Sequence, residues 1–418
     1  MDTPSAEEVR AEVEAFLDEY WDPDRTVAEW WDRLARSGYA APMLPPVWGG
    51  MGWSRDLANV VGATLAARPA LGPPAGIGLM LAAPTIVAHG TDEQKRRFVA
   101  RILNGQDGWC QLFSEPGAGS DLAGLQTRAT RDGDEWVVTG QKVWTSTAQH
   151  ADFGMLLART DPDVSKHKGI TWLAFPMLQP GVDVRPLREM TGRAIFNEVF
   201  IDEARVPHAN VIGAVNDGWA VANTTLMIER AGIGGGGGGM RGAVPGSVAG
   251  HLARRAGDFV GKAGDLGAGR IGTSTARRLI ELARRHGRSG DAVVRQQIAR
   301  LYTLTEVNRM SLLRARQANG RSGAEGNIAK LMMAEQMRLA REVGNLILGP
   351  GGMLTGPDAP SGGLVQEITV SSPGPSIYGG TDQIQRNIIG ERVLGLPKEP
   401  GPPKDTPFRD LLVGTQRG

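Results

Sequence analysis

The order of periodicities along the 418 residues constrains this chain most. Residues 1–107 carry apolar side chains at helical spacing. Residues 108–218 break into short β-rich runs divided by turns, and helical patterns return from 219. A helix needs a period near 3.6 and a half-buried strand a period of 2, so the two textures cannot share one element type. The expected fold is an α+β multidomain chain. An N-terminal helical domain (1–107) leads into a small middle β-barrel or sandwich (108–218), then a C-terminal helical bundle (219–418) with a Gly-rich segment at 231–246.

Within the first block, 7–20 places Val9, Val13, Phe16 and Leu17 on one stripe, 28–36 gives a second helix, and 91–103 a third. Thr91 caps that third helix, and Asp92 and Glu93 favour its positive end. The stretch PMLPPVWGGMGW between them is loop. In the second block the runs GWCQLF, EWVVTGQKVWTS, GMLLAR, GITWLAF, VDVRPL and NEVFIDEARV read as strands. In the third, 219–230, 277–286, 291–317, 327–348 and 381–395 read as helices, with six consecutive glycines at 234–239.

Composition excludes several function classes. The formal net charge is +1, which gives no electrostatic reason to expect nucleic acid or an anionic membrane as partner. Cys110 is the only cysteine, so no intrachain disulfide forms, and the six histidines show no metal-binding spacing. Residues 69–88 are uncharged and long enough to span a bilayer, but they contain four prolines and three glycines. Prolines at that density break a spanning helix, so a buried loop and helix is expected there. The N-terminus is acidic and amphipathic rather than a secretory leader, and the chain reads as cytoplasmic.

Two strings on opposite sides of the chain carry chemistry. Residues 112–121 read LFSEPGAGSD, where Gly117 and Gly119 permit converging backbone N–H groups, a concavity suited to phosphate oxygens. Residues 377–386 read IYGGTDQIQR. With TGQKVWTS at 139–146, and in this order, these strings resemble the signatures of the acyl-CoA dehydrogenase flavoproteins; the resemblance covers roughly residues 10–397.

The resemblance implies FAD as cofactor. It places Ser114 by the flavin ring, Gly119 and Ser120 by the pyrophosphate, Trp144 against one ring face and Ser146 near the reactive ring edge. It puts Thr381 and Gln383 on the flavin and its adenylate end, the latter across a subunit boundary. Arg285 or Arg288, in ARRHGRSGD, supplies a cation to the neighbouring subunit's pyrophosphate, although the usual Phe is missing. The later Gly-Gly pattern appears as NLILGPGG, where Pro350 removes an N–H.

The implied reaction is α,β-desaturation of an acyl-CoA thioester: a carboxylate takes the α-proton while the β-hydrogen leaves as hydride to the flavin. Many members carry that carboxylate directly after the Tyr; this chain has Gly379 there. Long-chain and isovaleryl-type members place the base instead in a Glu-Arg pair on the first helix of the C-terminal domain. LMIER at 226–230 supplies such a pair, so the resemblance makes Glu229 the base, Arg230 a substrate-side support and Tyr378 a lining of the acyl pocket. Implied partners are the acyl-CoA, an electron-transferring flavoprotein, and further subunits in a homodimer, homotetramer or heterotetramer. Two alternatives stand beside the dehydrogenase: an acyl-CoA oxidase on the same fold, and a subunit that completes its site only with a related chain.

Overall fold

The computed structural model describes residues 3–234, 242–260, 273–317, 325–398 and 400–412. Local chemistry sets the first helices. Ser5 and Glu8 form a reciprocal capping box at the start of α1 (Ala6–Tyr20), as Thr26 and Glu29 do for α2 (Val27–Ser37). Gly38, at φ 81°, ends α2 in the left-handed conformation. Val9, Val13 and Leu17 from α1 and Trp30, Trp31 and Leu34 from α2 meet α3 (Arg55–Ala67) in one core. Both indoles are satisfied: Trp30 Nε1 donates to Leu71 O and Trp31 Nε1 to Gly72 O, at 2.6 and 2.9 Å.

The uncharged stretch ends in α4 (Ala83–His89), and Leu81, Ala83 and Ile86 are fully buried. Its apolar character serves a core. No helix among the described residues is long and apolar enough to cross a membrane. Two short helices follow, α5 (Asp92–Gln94) and α6 (Ala100–Leu103), joined by a π-helical turn over Lys95–Val99.

The middle block is one eight-stranded sheet: β1 (Trp109–Leu112), β2 (Arg128–Asp132), β3 (Glu135–Ser146), β4 (Phe153–Arg159), β5 (Ile170–Pro176), β6 (Val182–Leu187), β7 (Phe196–Pro207) and β8 (Val211–Ile212). The spatial order is β6-β7-β3-β2-β4-β5-β8, with β1 parallel to β4. Alternation sends β4 and β5 into two cores. Met155, Leu157, Trp172 and Ala174 face the helices; Leu156, Ala158, Leu173 and Phe175 face the interior lined by Val138, Val199 and Ile201. β2 escapes the sequence reading because only Ala129 in it is buried.

Helix α7 (Gly218–Gly234) follows β8 and packs on the helix-facing side of the sheet through Val221, Ala222, Leu226 and Ile228. Residues 242–260 return to the first core, where Ala243, Ala256 and Phe259 are buried, and Val27 N donates to Arg254 O at 2.8 Å. The remaining helices are α8 (Thr273–Arg285), α9 (Ala292–Gln317), α10 (Glu325–Leu348), α11 (Leu364–Ser371) and α12 (Asp382–Ile388). The first four share a core of Leu279, Leu282, Leu301, Val343 and Val365. The α+β architecture expected from the sequence is present: helices, then sheet, then helices. Most of the glycine run at 234–239 lies outside the described residues.

Candidate active site

Glu115 and Lys142 are the most heavily invested polar groups of the β domain. Lys142 is fully buried on β3 and donates to Glu115 Oε1 at 2.8 Å and to Phe113 O at 3.1 Å. Glu115 also accepts from the backbone N–H groups of Gln126 (2.6 Å) and Thr127 (2.9 Å). Burial works against the Glu115 charge, but Lys142 and these hydrogen bonds outweigh it and hold the carboxyl below its ordinary value. The pair fixes the base of the 115–121 loop, and a tight turn pairs Glu115 with Ala118 through both backbone bonds. Neither residue was assigned a role from sequence. The available signal was a lysine inside an otherwise apolar strand face.

The same strand bulges two residues later. From Lys142 to Thr145 β3 advances three residues while β7 moves only from Val199 to Asn197. Trp144 occupies this bulge at φ 59° and is 57% exposed. A non-glycine residue held in the left-handed region costs about 1 kcal/mol. An exposed indole gains little burial to offset it. Its only ring neighbour among the described residues is Phe196, edge-on at 5.8 Å. Ser114 O accepts from Val143 N at 2.9 Å, so the loop and the bulge are stitched together.

These features fit a flavin. A Cβ added to Gly119 would meet open space. The hydroxyls of Ser114, Ser120 and Ser146 make no hydrogen bond to another described residue, which leaves three donors for a ligand. Neither Gly117 nor Gly119 has positive φ, so any N–H convergence here does not use a left-handed glycine.

Glu229 lies half-buried on α7 and accepts from Gln111 Nε2 at 3.3 Å. Gln111 sits on β1, three residues before Ser114. Gln111 therefore ties Glu229 to the strand that runs toward Ser114, whose carbonyl is bonded to Val143 beside Trp144. Helix α7 is held there by a buried Thr85–Thr225 hydroxyl pair at 3.0 Å and by His89 Nε2 against Thr224 Oγ1 at 2.7 Å. Nothing in the sequence singled out Gln111. Arg230 follows on the same helix, and its side chain lies outside the described residues.

The 377–386 string forms a turn and the start of α12. Gly379 and Gly380 are both left-handed, at φ 63° and 84°. A carboxylate at 379 would have to adopt a conformation that side chains disfavour. Tyr378 is 49% exposed, and partial burial pushes its hydroxyl above the ordinary tyrosine value. Thr381 caps α12, accepting from Ile384 N at 3.2 Å, and Gln383 is exposed.

Helix α10 clamps this turn. Asp382 is buried against Arg338 (2.9 Å) and Lys330 (3.8 Å), and Lys330 donates to Pro375 O. Gln385 donates to Gly379 O at 2.8 Å and accepts from Asn327 at 2.6 Å. Arg285 lies exposed at the end of α8 and makes no ion pair among the described residues, whereas Arg288 is engaged by Asp291 at 2.8 Å. Neither Arg285 nor Gln383 hydrogen-bonds to the 114–121 loop of its own chain.

Replacing Trp144 by Gly tests the bulge. The expected result is an apoprotein more stable by about 1 kcal/mol in urea unfolding, with weaker FAD binding. A destabilised variant with unchanged flavin affinity would make Trp144 a packing residue of the strand.

Residues 3–106 match the acyl-CoA dehydrogenase N-terminal domain, 110–204 the middle domain and 266–394 the C-terminal domain. The chain is 36% identical over 371 residues to acyl-CoA dehydrogenase IpdE1 of Mycobacterium tuberculosis, covering 88% of each. The ChsE4-ChsE5 complex from Mycobacterium tuberculosis superposes with TM-score 0.70 at 29% identity, covering 96% of this chain and 99% of that one. The Tcur3481-Tcur3483 steroid ACAD does so with TM-score 0.71 at 26% identity, covering 96% and 100%. Matched along nearly its whole length, this chain belongs to the acyl-CoA dehydrogenase family of FAD-dependent oxidoreductases.

Proposed function

We propose that the chain catalyses α,β-desaturation of an acyl-CoA thioester with Glu229 as the base. The observation that carries this is the Gln111–Glu229 hydrogen bond, which ties the only carboxylate of the LMIER run to the strand entering the flavin loop. Gly379 has no side chain to offer at the alternative position. Glu229 accepts the substrate's α-proton on a carboxylate oxygen while Gln111 holds its orientation. Trp144 would cover one face of a bound FAD and exclude water, and Ser146 would supply a hydroxyl donor to it. Ser114, Gly119, Ser120 and Thr381 hold the FAD, Arg230 and Tyr378 line the substrate side, and Arg285 and Gln383 reach the cofactor of a neighbouring subunit. Bound FAD supplies the acceptor for the β-hydrogen, which leaves as hydride. The product is the enoyl-CoA, and the electrons pass to an electron-transferring flavoprotein.

A second reading concerns assembly. Two similar structures, the ChsE4-ChsE5 complex and the Tcur3481-Tcur3483 steroid ACAD, are each named for two chains. Helix α9 exposes Tyr302, Val307, Met310 and Leu313, apolar area suited to a subunit contact. This supports a heteromer with a related subunit that completes the cofactor site.

The test is the visible spectrum of the purified chain under nitrogen during titration with fatty, branched and steroid side-chain acyl-CoA thioesters. The expected result is a bound flavin bleached by one of them. Rapid peroxide formation in air would favour the oxidase. A colourless chain that gains flavin only with a related subunit would favour the heteromer. A bound flavin bleached by none of these thioesters would overturn the desaturase reading.

A further inference from the structure

Residues 400–412 lie beyond the last family match, which ends at 394, and fold back onto the β domain. Pro407 pairs with Ser165, Phe408 N donates to Val164 O at 2.8 Å, and Arg409 N donates to Pro162 O at 3.1 Å. Arg409 also meets Asp163 at 3.0 Å, but both side chains are exposed, and such pairs contribute little. Phe408 is the one buried residue of this segment. A cavity of about 430 Å³ beside the tail is lined by Arg128, Thr130, Arg159, Phe408, Arg409 and Leu411. The tail is therefore held over 407–409, where Phe408 is the buried side chain.

Beneath Phe408 lies a buried cation. Arg159 is 4% exposed and meets no carboxylate within ion-pair distance among the described residues. Nη2 donates to Ala123 O at 2.7 Å, and Nη1 to Lys166 O and Lys168 O at 3.0 and 2.8 Å. Phe408 lies over the guanidinium at 3.7 Å. Ala123 sits in the turn that directly follows the EPGAGSD loop, and Lys166 donates to Asp121 inside that loop at 2.8 Å. The 160–169 connection and Arg159 together grip the loop's exit.

We propose that Phe408 and Arg159 are positioning residues for the flavin loop: docking of the 406–411 tail over Arg159 rigidifies residues 115–124 and so sets FAD affinity. This rests on the reading that the loop holds the FAD phosphates. An aromatic face is the natural cover for a buried guanidinium without a carboxylate. Removing it exposes the cation to water and weakens its hold on the three carbonyls.

The experiment compares full-length Phe408→Ala, Phe408→Tyr and Arg409→Ala. Amide hydrogen exchange is read in the apoprotein and FAD Kd by titration. Phe408→Ala is expected to speed exchange across 121–124 and raise FAD Kd about tenfold, with Phe408→Tyr and Arg409→Ala within about twofold of the parent. Unchanged exchange in Phe408→Ala would overturn the bracing. Faster exchange with unchanged FAD Kd would overturn its link to the cofactor. Ser120→Asp separates this from the phosphate reading. A carboxylate beside the pyrophosphate should weaken FAD binding whether or not the tail docks, so normal affinity in that variant fails the phosphate reading alone.

Discussion

Replacing Lys142 by Met is expected to destabilise the β domain by about 3–5 kcal/mol, the range for breaking one side of a buried ion pair. The ammonium is fully buried and holds both Glu115 Oε1 and Phe113 O. Its loss leaves a buried carboxylate with only the N–H groups of Gln126 and Thr127. The double variant Lys142→Met with Glu115→Gln should recover part of the loss, because no uncompensated charge then remains. The pH dependence has a definite sign. In the parent, the folded Glu115 carboxyl titrates below its ordinary value of 4.5. Its contribution is therefore full above that value and is lost as pH falls through the lowered folded value. In Lys142→Met the carboxyl titrates upward, so the penalty should be larger at pH 7 than at pH 5. Urea unfolding of the two variants at both pH values checks this. A loss below about 1 kcal/mol at pH 7 would contradict the buried pair.

Legibility in the sequence followed the strength of local signals. Runs 135–146 and 182–187 are β-rich and bounded by turns, and β3 and β6 occupy those spans. Segment 128–132 is polar around a single buried alanine, so the strand exists through its pairing with β3 rather than through its own pattern. The capping residue Thr91 was readable because a cap is a local bond, whereas the cap formed by Thr381 was not read.

Long-range placement was not legible. The Trp144 conformation depends on a register shift against β7, and the Gln111–Glu229 bond joins residues 118 apart. The return of 242–260 to the N-terminal core and of Phe408 to Arg159 likewise depends on the whole fold. Motif strings carried residue types to the site. They did not reveal the buried charges beneath it, because Glu115 and Lys142 read as ordinary polar residues until their partners are known. Arg285 and Gln383 are exposed on a single chain, so the roles proposed for them would become visible only with a second subunit.

Glu229→Gln is expected to lower the rate of flavin reduction by about 10³–10⁴-fold while leaving FAD content and acyl-CoA affinity nearly unchanged. Glutamine keeps the shape, and its side chain still pairs with Gln111. Only the proton acceptor is lost, so ground-state binding survives while α-proton removal fails. Gly379→Glu added to Glu229→Gly should restore only part of the rate, since the new side chain must sit at φ 63°. The most direct measurement is anaerobic stopped-flow reduction of the flavin by an accepted acyl-CoA, in parent and Glu229→Gln proteins matched for FAD content. Glu229 as base requires reduction slowed by at least about 10³-fold with the acyl-CoA Kd within about threefold of the parent; reduction at near-parent rate would contradict it.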